Sequence, residues 1–420
     1  MTIPARWLLC LLCTICVAPS AGAQTPDDLF NSGAVRRLDV LVNSLDWEKL
    51  KANFGVNDYY PADIQWEGIT TRNAGIRSRG LGSRSGAKPG LRVDFDRYAS
   101  DQTFLGLKSM VLDNLTQDPT GLRERLAMRF FERMGLPAPR EAHVAVYVNN
   151  TYAGLYSVVE SVDKAFLRRV FGSNAKGIEN DGYLFQYEYW VAWGLNYFGD
   201  SLETFAALFD PVTHEKASGV ELYAPLEALI RTINEATDEE FMSAVSPYLD
   251  LPLFMKHVAV QNFLAENDGL MGYAGVNNFY IYRFEDSLRS QFIAWDEDNA
   301  FVTADFPVLQ GHDTNVLMRR AMNVPELRAA YFAALHAAAD DSEAWLEQEI
   351  QQQRSLVTAP MLLDPMKPYG NEEFEAGVEG LLAFARFRPG FVRCEVAKLT
   401  DSALASALCG TAAAAVRRRR

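Results

Sequence analysis

Three acids follow an apolar run in the segment "FIAWDEDNAF", where Asp296, Glu297 and Asp298 stand directly after Phe292 to Trp295. Upstream, "LAENDGLMG" ends a helix-patterned stretch with Asn267, Asp268 and Gly269, and Asn277 and Asn278 then open "NNFYIYR". Brought to one end of a hairpin, Asp268, an asparagine amide, Asp296 and Asp298 would offer only hard oxygen donors. Such a set suits Mg²⁺ or Mn²⁺. A carboxylate left outside the metal's shell can orient a hydroxyl nucleophile or accept its proton. Each piece also has a plainer local reading. "NDG" is an ordinary helix-ending turn, and a solvated turn would carry Asp296 and Asp298 equally well. Trp295 and Phe301 on either side argue against full exposure of that turn.

A second candidate lies in "GIRSRGLGSRSGAKPGLRVDF", where Gly80, Gly82 and Gly86 stand among Arg77, Arg79, Arg84 and Lys88. Glycines let backbone amides approach a phosphate, and nearby cations neutralise it. The spacing is neither G-x-G-x-x-G nor a Walker A motif, so a basic hairpin loop explains the segment as well. Other chemistries have no foothold. The five histidines form no H-E-x-x-H pattern, and no G-x-S-x-G elbow exists for a serine hydrolase.

The elements that must position these residues fall into two halves. "RRLDVLVNSLDWEKLKANF" reads as a strand and a short helix capped by Ser44, and "ADIQWEGITTRNAGIRSRG" and "LRVDFD" as alternating strands. "DPTGLRERLAMRFFERMG" has Asp118 as cap, Pro119 at the first helical position, Gly135 as the stop and a Leu122, Leu126, Phe130, Met134 stripe. "HVAVYVNNTYAGLYSVVE" reads as a hairpin turning at Asn149-Asn150. Beyond about Asp163 the spacing becomes helical, interrupted by the acid-bearing hairpin, and two long helices close the chain. The resulting expectation is an α+β protein. It has a strand-rich first part over 37–162 with one prominent helix, a helical second part over 163–395, and a low-complexity tail over 396–420.

The N-terminus carries Arg6, an apolar run from Trp7 to Val17 and an Ala21-Gly22-Ala23 end, the pattern of a secretory signal cleaved after Ala23. The run is shorter than the roughly 18 to 20 residues that span a bilayer. The expected product over 24–420 is therefore secreted or periplasmic, with no transmembrane anchor. Outside the signal only Cys394 and Cys409 remain, which could pair in an oxidising compartment or stay as two thiols. No Cys/His cluster supports structural zinc. The formal charge of −14 argues against a nucleic-acid partner, and Arg417 to Arg420 could touch an anionic surface or remain solvated.

From about Arg37 to Val392 the chain resembles the CotH kinase family. The likeness rests on the glycine-basic segment, "FLGLKSMVLDNLTQDPTGLRERLAMRFFERMGLPAPR", "VYVNNTYAGLYSVVESVDKAFL", "NDG", "NNFYIYR", "WDEDNAF" and "PVLQGHDTNVLMRRAM". It implies an atypical protein-kinase-like fold of two lobes with ATP between them. It implies that Asp268 is the catalytic Asp, Asn277 or Asn278 the metal-binding amide, Asp296 the metal-binding Asp and Asp298 a second ligand. Arg79, Gly80 and Gly82 would cover the nucleotide, Glu124 would pair with the phosphate-holding cation, and Glu160 would sit near the hinge. Two features depart from ordinary kinases. Asp268 and Asn277 are nine residues apart, against about five in H-R-D-x-x-x-x-N. Arg92 stands where an ATP lysine is expected, and Arg is not a simple substitute for Lys. The expectation is Mg-ATP-dependent (or Mn-ATP-dependent) transfer to Ser or Thr of an envelope or extracellular protein. The alternatives are a binding protein that keeps the fold without turnover, and a metal-dependent phosphohydrolase.

Overall fold

The computed structural model describes residues 24–31, 33–172, 180–401, 403–406 and 408–409. The signal segment and the Arg417 to Arg420 tail lie outside these residues.

A short helix, α1 (Pro26–Phe30), leads into β1 (Arg36–Val42), α2 (Ser44–Ala52), β2 (Tyr60–Trp66), β3 (Ile69–Ser78), β4 (Leu91–Asp94) and β5 (Ser109–Asp113). Then come α3 (Arg123–Arg133), β6 (Glu141–Val148) and β7 (Thr151–Glu160). These seven strands close into a barrel in the order β1-β2-β3-β4-β5-β7-β6, sealed by parallel pairing of β1 with β6. Alternation drives the closure. Leu38 and Val40, Ile64, Ile76, Leu91 and Val93, and Val144 and Val146 all point into one buried interior. The β6–β7 turn is built on Asn149 and Asn150, both with positive φ, as a two-residue hairpin requires.

The remaining elements are α4 (Lys164–Phe171), β8 (Tyr183–Tyr187), α5 (Leu202–Leu208), β9 (Phe209–Pro211), α6 (Gly219–Glu235), α7 (Phe241–Val245) and α8 (Leu251–Phe263). They continue with β10 (Phe279–Arg283), β11 (Ser290–Ala294), α9 (Val316–Asn323), α10 (Pro325–Leu362) and α11 (Asn371–Thr400). The α+β class is what the sequence leads one to expect, but the inserted hairpin β10–β11 is not free-standing. It is half of a four-stranded sheet ordered β11-β10-β8-β9. A small apolar cluster containing Val111, Val159, Val162, Tyr280, Ile293 and Trp295 glues this sheet to the barrel. Helix α3 bridges the parts on the other side, stacking Phe130 on Phe263 of α8.

Three local expectations need correction. Helix α2 is capped by Asn43, which accepts from the Leu45 N–H, rather than by Ser44. Helix α3 starts at Arg123, not Pro119, because the Asp118 carboxylate turns back to accept from the Leu122 and Arg123 amides. Helix α11 runs through 396–400, and Cys409 is disulfide-bonded to Cys394. Among the described residues no helix is long and apolar enough to cross a membrane.

Candidate active site

Between the barrel and the four-stranded sheet lies a cleft of about 1010 Å³. The hairpin register explains its acidic floor. Phe279 pairs with Ala294, so the residues just before β10 and just after β11 emerge at the same end. Asn277 and Asn278 therefore meet Asp296, and the Asn278 amide donates to the Asp296 carbonyl at 3.2 Å. The loop after α8 arrives at the same place, turned by Ala265 at φ 56°. There the Asn277 and Asn278 amides both donate to Asp268 Oδ2, at 3.2 and 3.3 Å. Asn278 and Asp296 themselves hold left-handed backbone (φ 54° and 56°). Asn and Asp tolerate that region better than other non-glycine residues, and such conformations gather at functional sites.

The acids separate by face. Asp268, Asp296 and Asp298 line the cleft, whereas Glu297 turns inward, fully buried, and accepts from Gln261 Nε2 at 2.7 Å. Glu266 is also buried and accepts the Asp268 N–H at 2.6 Å. Glu266, Glu297 and Gln261 thus hold the two acid-bearing loops from behind, and a side chain on Gly269 would collide with Gln261. Sequence reading missed this support because nothing in a run of three acids marks Glu297 as the one turned inward, and Glu266 reads as an ordinary helix-end residue.

Burial, reinforced by acidic neighbours, raises the floor carboxyls. Burial pushes Asp296 up to about 6, with Asp113 and Asp268 adding to the shift and Arg79 opposing it. Asp268 is raised by burial, while its two asparagine donors pull it down. Asp298 is pushed well up by burial and by Asp296, Asp113, Asp118 and Asp268. Asp268, Asp296 and Asp298 form no ion pair among the described residues. Uncompensated carboxylates and amide oxygens on one wall fit a hard divalent ion in donor chemistry. No three of the described His, Cys, Asp and Glu side chains are spaced as a ready-made metal cage. Mg²⁺ commonly takes one or two carboxylates and fills its shell with water and phosphate oxygens, which this wall can accommodate.

The roof comes from the barrel. Arg79, Gly80, Gly82 and Arg92 all line the cleft. Gly80 has φ 106°, a backbone conformation that favours glycine. The loop is tethered by Asn114, whose amide donates to the Ser83 and Lys88 carbonyls at 2.9 and 2.8 Å, a role no local pattern announces. Arg79 lies 3.6 Å from Asp113 and its guanidinium stands 5.8 Å from the Trp295 ring centre, reaching across to the floor. Arg92 Nε bonds Asp94 Oδ1 at 2.8 Å on its own strand. Arg84 is a structural tie, donating to the Gly80 and Phe54 carbonyls and to Asn57.

Other expected site residues lie elsewhere. Glu124 is buried on α3 and does not line the cleft. It has no cationic partner among the described residues. Burial, then Glu141, Asp296, Asp113 and Asp298 raise it well above the usual carboxylate range. The expected pairing with Arg92 is not formed, because Arg92 is held by Asp94. Glu160 ends β7 but is clamped by Arg140 and Arg169, at 2.8 and 2.6 Å. The next three residues, Ser161, Val162 and Asp163, face the cleft instead. Lys88, grouped with the basic loop in the sequence, is withdrawn from the cleft into a buried ion pair.

Residues 76–392 match the CotH kinase protein family. The chain belongs to that family. It is also 24% identical over 368 residues to "Inner spore coat protein H" of Bacillus subtilis (strain 168), covering 84% of this chain and 95% of the relative. Within this CotH chain, the match takes in both the glycine-basic roof and the acidic floor.

Proposed function

We propose that this CotH-family chain is a phosphotransferase that moves the γ-phosphoryl group of Mg-ATP to a Ser or Thr hydroxyl of an envelope or extracellular protein. The observation that carries this reading is the two-sided cleft. Arg79 and Arg92 stand on the barrel side, and Asp268, Asp296 and Asp298, from segments separated in sequence, stand on the other. A nucleotide fits that polarity, with phosphates under the glycine loop and a flat base against Val111, Val162, Tyr280 and Trp295. Phosphoryl transfer asks a protein mainly for positioning and charge neutralisation.

In this reading Asp296 and Asp298 hold the divalent ion, which neutralises charge on the phosphate oxygens when bound. Arg79 reaches the same phosphates from the roof. Asp268, oriented by Asn277 and Asn278, positions the acceptor hydroxyl and receives its proton as the O–P bond forms and ADP departs. The relative's name assigns it to a spore coat, and by that likeness the acceptor is sought in a protein layer outside the cytoplasm. A second reading, a binding protein without turnover, has its own support: among the described residues Glu124 has no cationic partner, and Arg92 is already paired.

One experiment separates them. Purified protein is given γ-labelled ATP, Mg²⁺ or Mn²⁺ and a mixture of envelope proteins, beside an Asp268→Asn variant. Label should enter Ser or Thr with wild type and fall by roughly 10²- to 10⁴-fold in the variant, the usual share of a positioned general base. Undiminished transfer by Asp268→Asn would remove that residue's role, and nucleotide binding without transfer by wild type would favour the second reading.

A further inference from the structure

Lys88 belongs to the basic roof loop, yet its side chain is 1% exposed and its ammonium bonds Asp364, whose side chain is fully buried, at 2.7 Å. Asp364 belongs to the turn between α10 and α11, far along the chain. Both partners make further hydrogen bonds. Lys88 Nζ also donates to the Leu155 carbonyl at 2.8 Å and lies 4.9 Å from the Tyr156 ring centre. Asp364 Oδ2 accepts the Leu155 N–H at 3.0 Å, and Oδ1 accepts the Met366 and Lys367 N–H groups at 2.8 and 3.1 Å. Room for this carboxylate is made by Gly154, at φ 123°, where a Cβ would lie 2.5 Å from either Asp364 oxygen. Beside it, the β6–β7 register shifts between Val146 and Tyr147.

We propose that Lys88 and Asp364 are positioning residues for the nucleotide, bracing the phosphate-covering loop against the α10–α11 turn so that Arg79 and the Gly80–Gly82 backbone stay at a fixed height over the acids. This rests on the phosphotransferase reading of the cleft. The path is short: the Lys88 carbonyl is held by Asn114, which also holds Ser83, while Arg79 N–H donates to the Gly90 carbonyl at 2.9 Å. The loop is therefore fixed to the residue after β5 and to its own stem, and the Lys88 side chain fixes it to the helical part. A surface ion pair could slip without consequence. A buried one, held by further hydrogen bonds on both partners, is confined in geometry and leaves a buried charge unpaired if broken.

The test uses full-length protein with Lys88→Met and Asp364→Asn, compared with Lys88→Arg. Amide hydrogen exchange over residues 79–90 is read without nucleotide, and KM for Mg-ATP and kcat are read separately. The expected result is faster exchange confined to that loop and a KM for Mg-ATP, read at a fixed amount of the envelope-protein mixture, raised by roughly 10- to 100-fold, with partial recovery in Lys88→Arg. A purely structural role would lower the folded fraction, and so kcat, at unchanged KM. Unchanged KM and unchanged loop exchange in folded variants would overturn the proposal. Should Lys88→Met fail to fold, Asp364→Asn, which preserves an acceptor oxygen for the turn, carries the same readouts. If wild type binds no nucleotide, the phosphotransferase reading fails on that result and the nucleotide role proposed here falls with it. The exchange rates then report only whether the brace holds the loop.

Discussion

The two walls of the cleft handle charge in opposite ways. On the barrel wall the arginines are already engaged: Arg92 by Asp94, Arg79 loosely by Asp113, and Arg84 by carbonyls. On the facing wall Asp268 and Asp298 have amide donors and Asp296 feels a distant Arg79, but among the described residues none of the three has a cation of its own. A preorganised cationic wall needs little from a ligand. An uncompensated acidic wall is raised in pKa until a cation arrives. Under the proposed function, the divalent ion would belong to the sheet side and the nucleotide's anionic tail to the space between.

The largest effect that could break this contrast is at Asp296. Its carboxyl sits near 6 against an ordinary value of 3.8, so folding favours the protonated form. Its contribution to stability is present below about pH 4 and is lost as pH rises through about 6. A divalent ion needs the carboxylate, so Mn²⁺ should raise Tm little at pH 5 and fully above about pH 7. At a hundredfold excess over Kd the gain is about 2.7 kcal/mol. Thermal unfolding with and without Mn²⁺ across that range checks this, and Asp296→Ala should abolish the Mn²⁺ response without lowering Tm in its absence. A Mn²⁺ shift that is independent of pH and survives in Asp296→Ala would place the ion elsewhere.

A smaller effect sharpens the roof side. Arg79, loosely paired and turned to the floor, should matter more than Arg92, whose guanidinium is bonded within its own strand. Titration calorimetry with Mg-ATP should show Arg79→Ala weakening binding by about tenfold or more, in keeping with about 1.5 to 3 kcal/mol for hydrogen bonds to charged groups. Arg92→Ala should cost less. The reverse order would mean that Arg92 exchanges Asp94 for phosphate on binding, as an ATP lysine would.

How much of this was legible depends on how local the cause is. Asn149-Asn150, the apolar stripe of α3, the two closing helices and the acid-tipped hairpin are written in neighbouring residues, and the structure has all of them. Closure of the barrel was not legible, because it depends on β1 meeting β6 across more than a hundred residues of chain. Nor was the sheet: β8 and β9 are short, and only their pairing beside β10 makes the hairpin part of four strands. At the site, Asp268, the two asparagines, Asp296 and Asp298 converge on one cleft, with positions set by hairpin register and one helix end. Glu160 and Lys88 were harder to place. A charged residue gives no local sign of whether it meets solvent, a ligand or an opposite charge; Glu160 meets two arginines of neighbouring segments, and Lys88 an aspartate from far along the chain.

The central claim is that carboxylates from the 268 and 296–298 loops share one divalent ion above the sheet. The most direct measurement is an anomalous difference map from crystals grown with Mn²⁺ and a non-hydrolysable ATP analogue. A Mn²⁺ peak is expected within about 2.3 Å of an Asp296 oxygen, with Asp268 facing the γ-phosphate. Mn²⁺ bound away from Asp296 and Asp298, or an analogue seated outside this cleft, would contradict it.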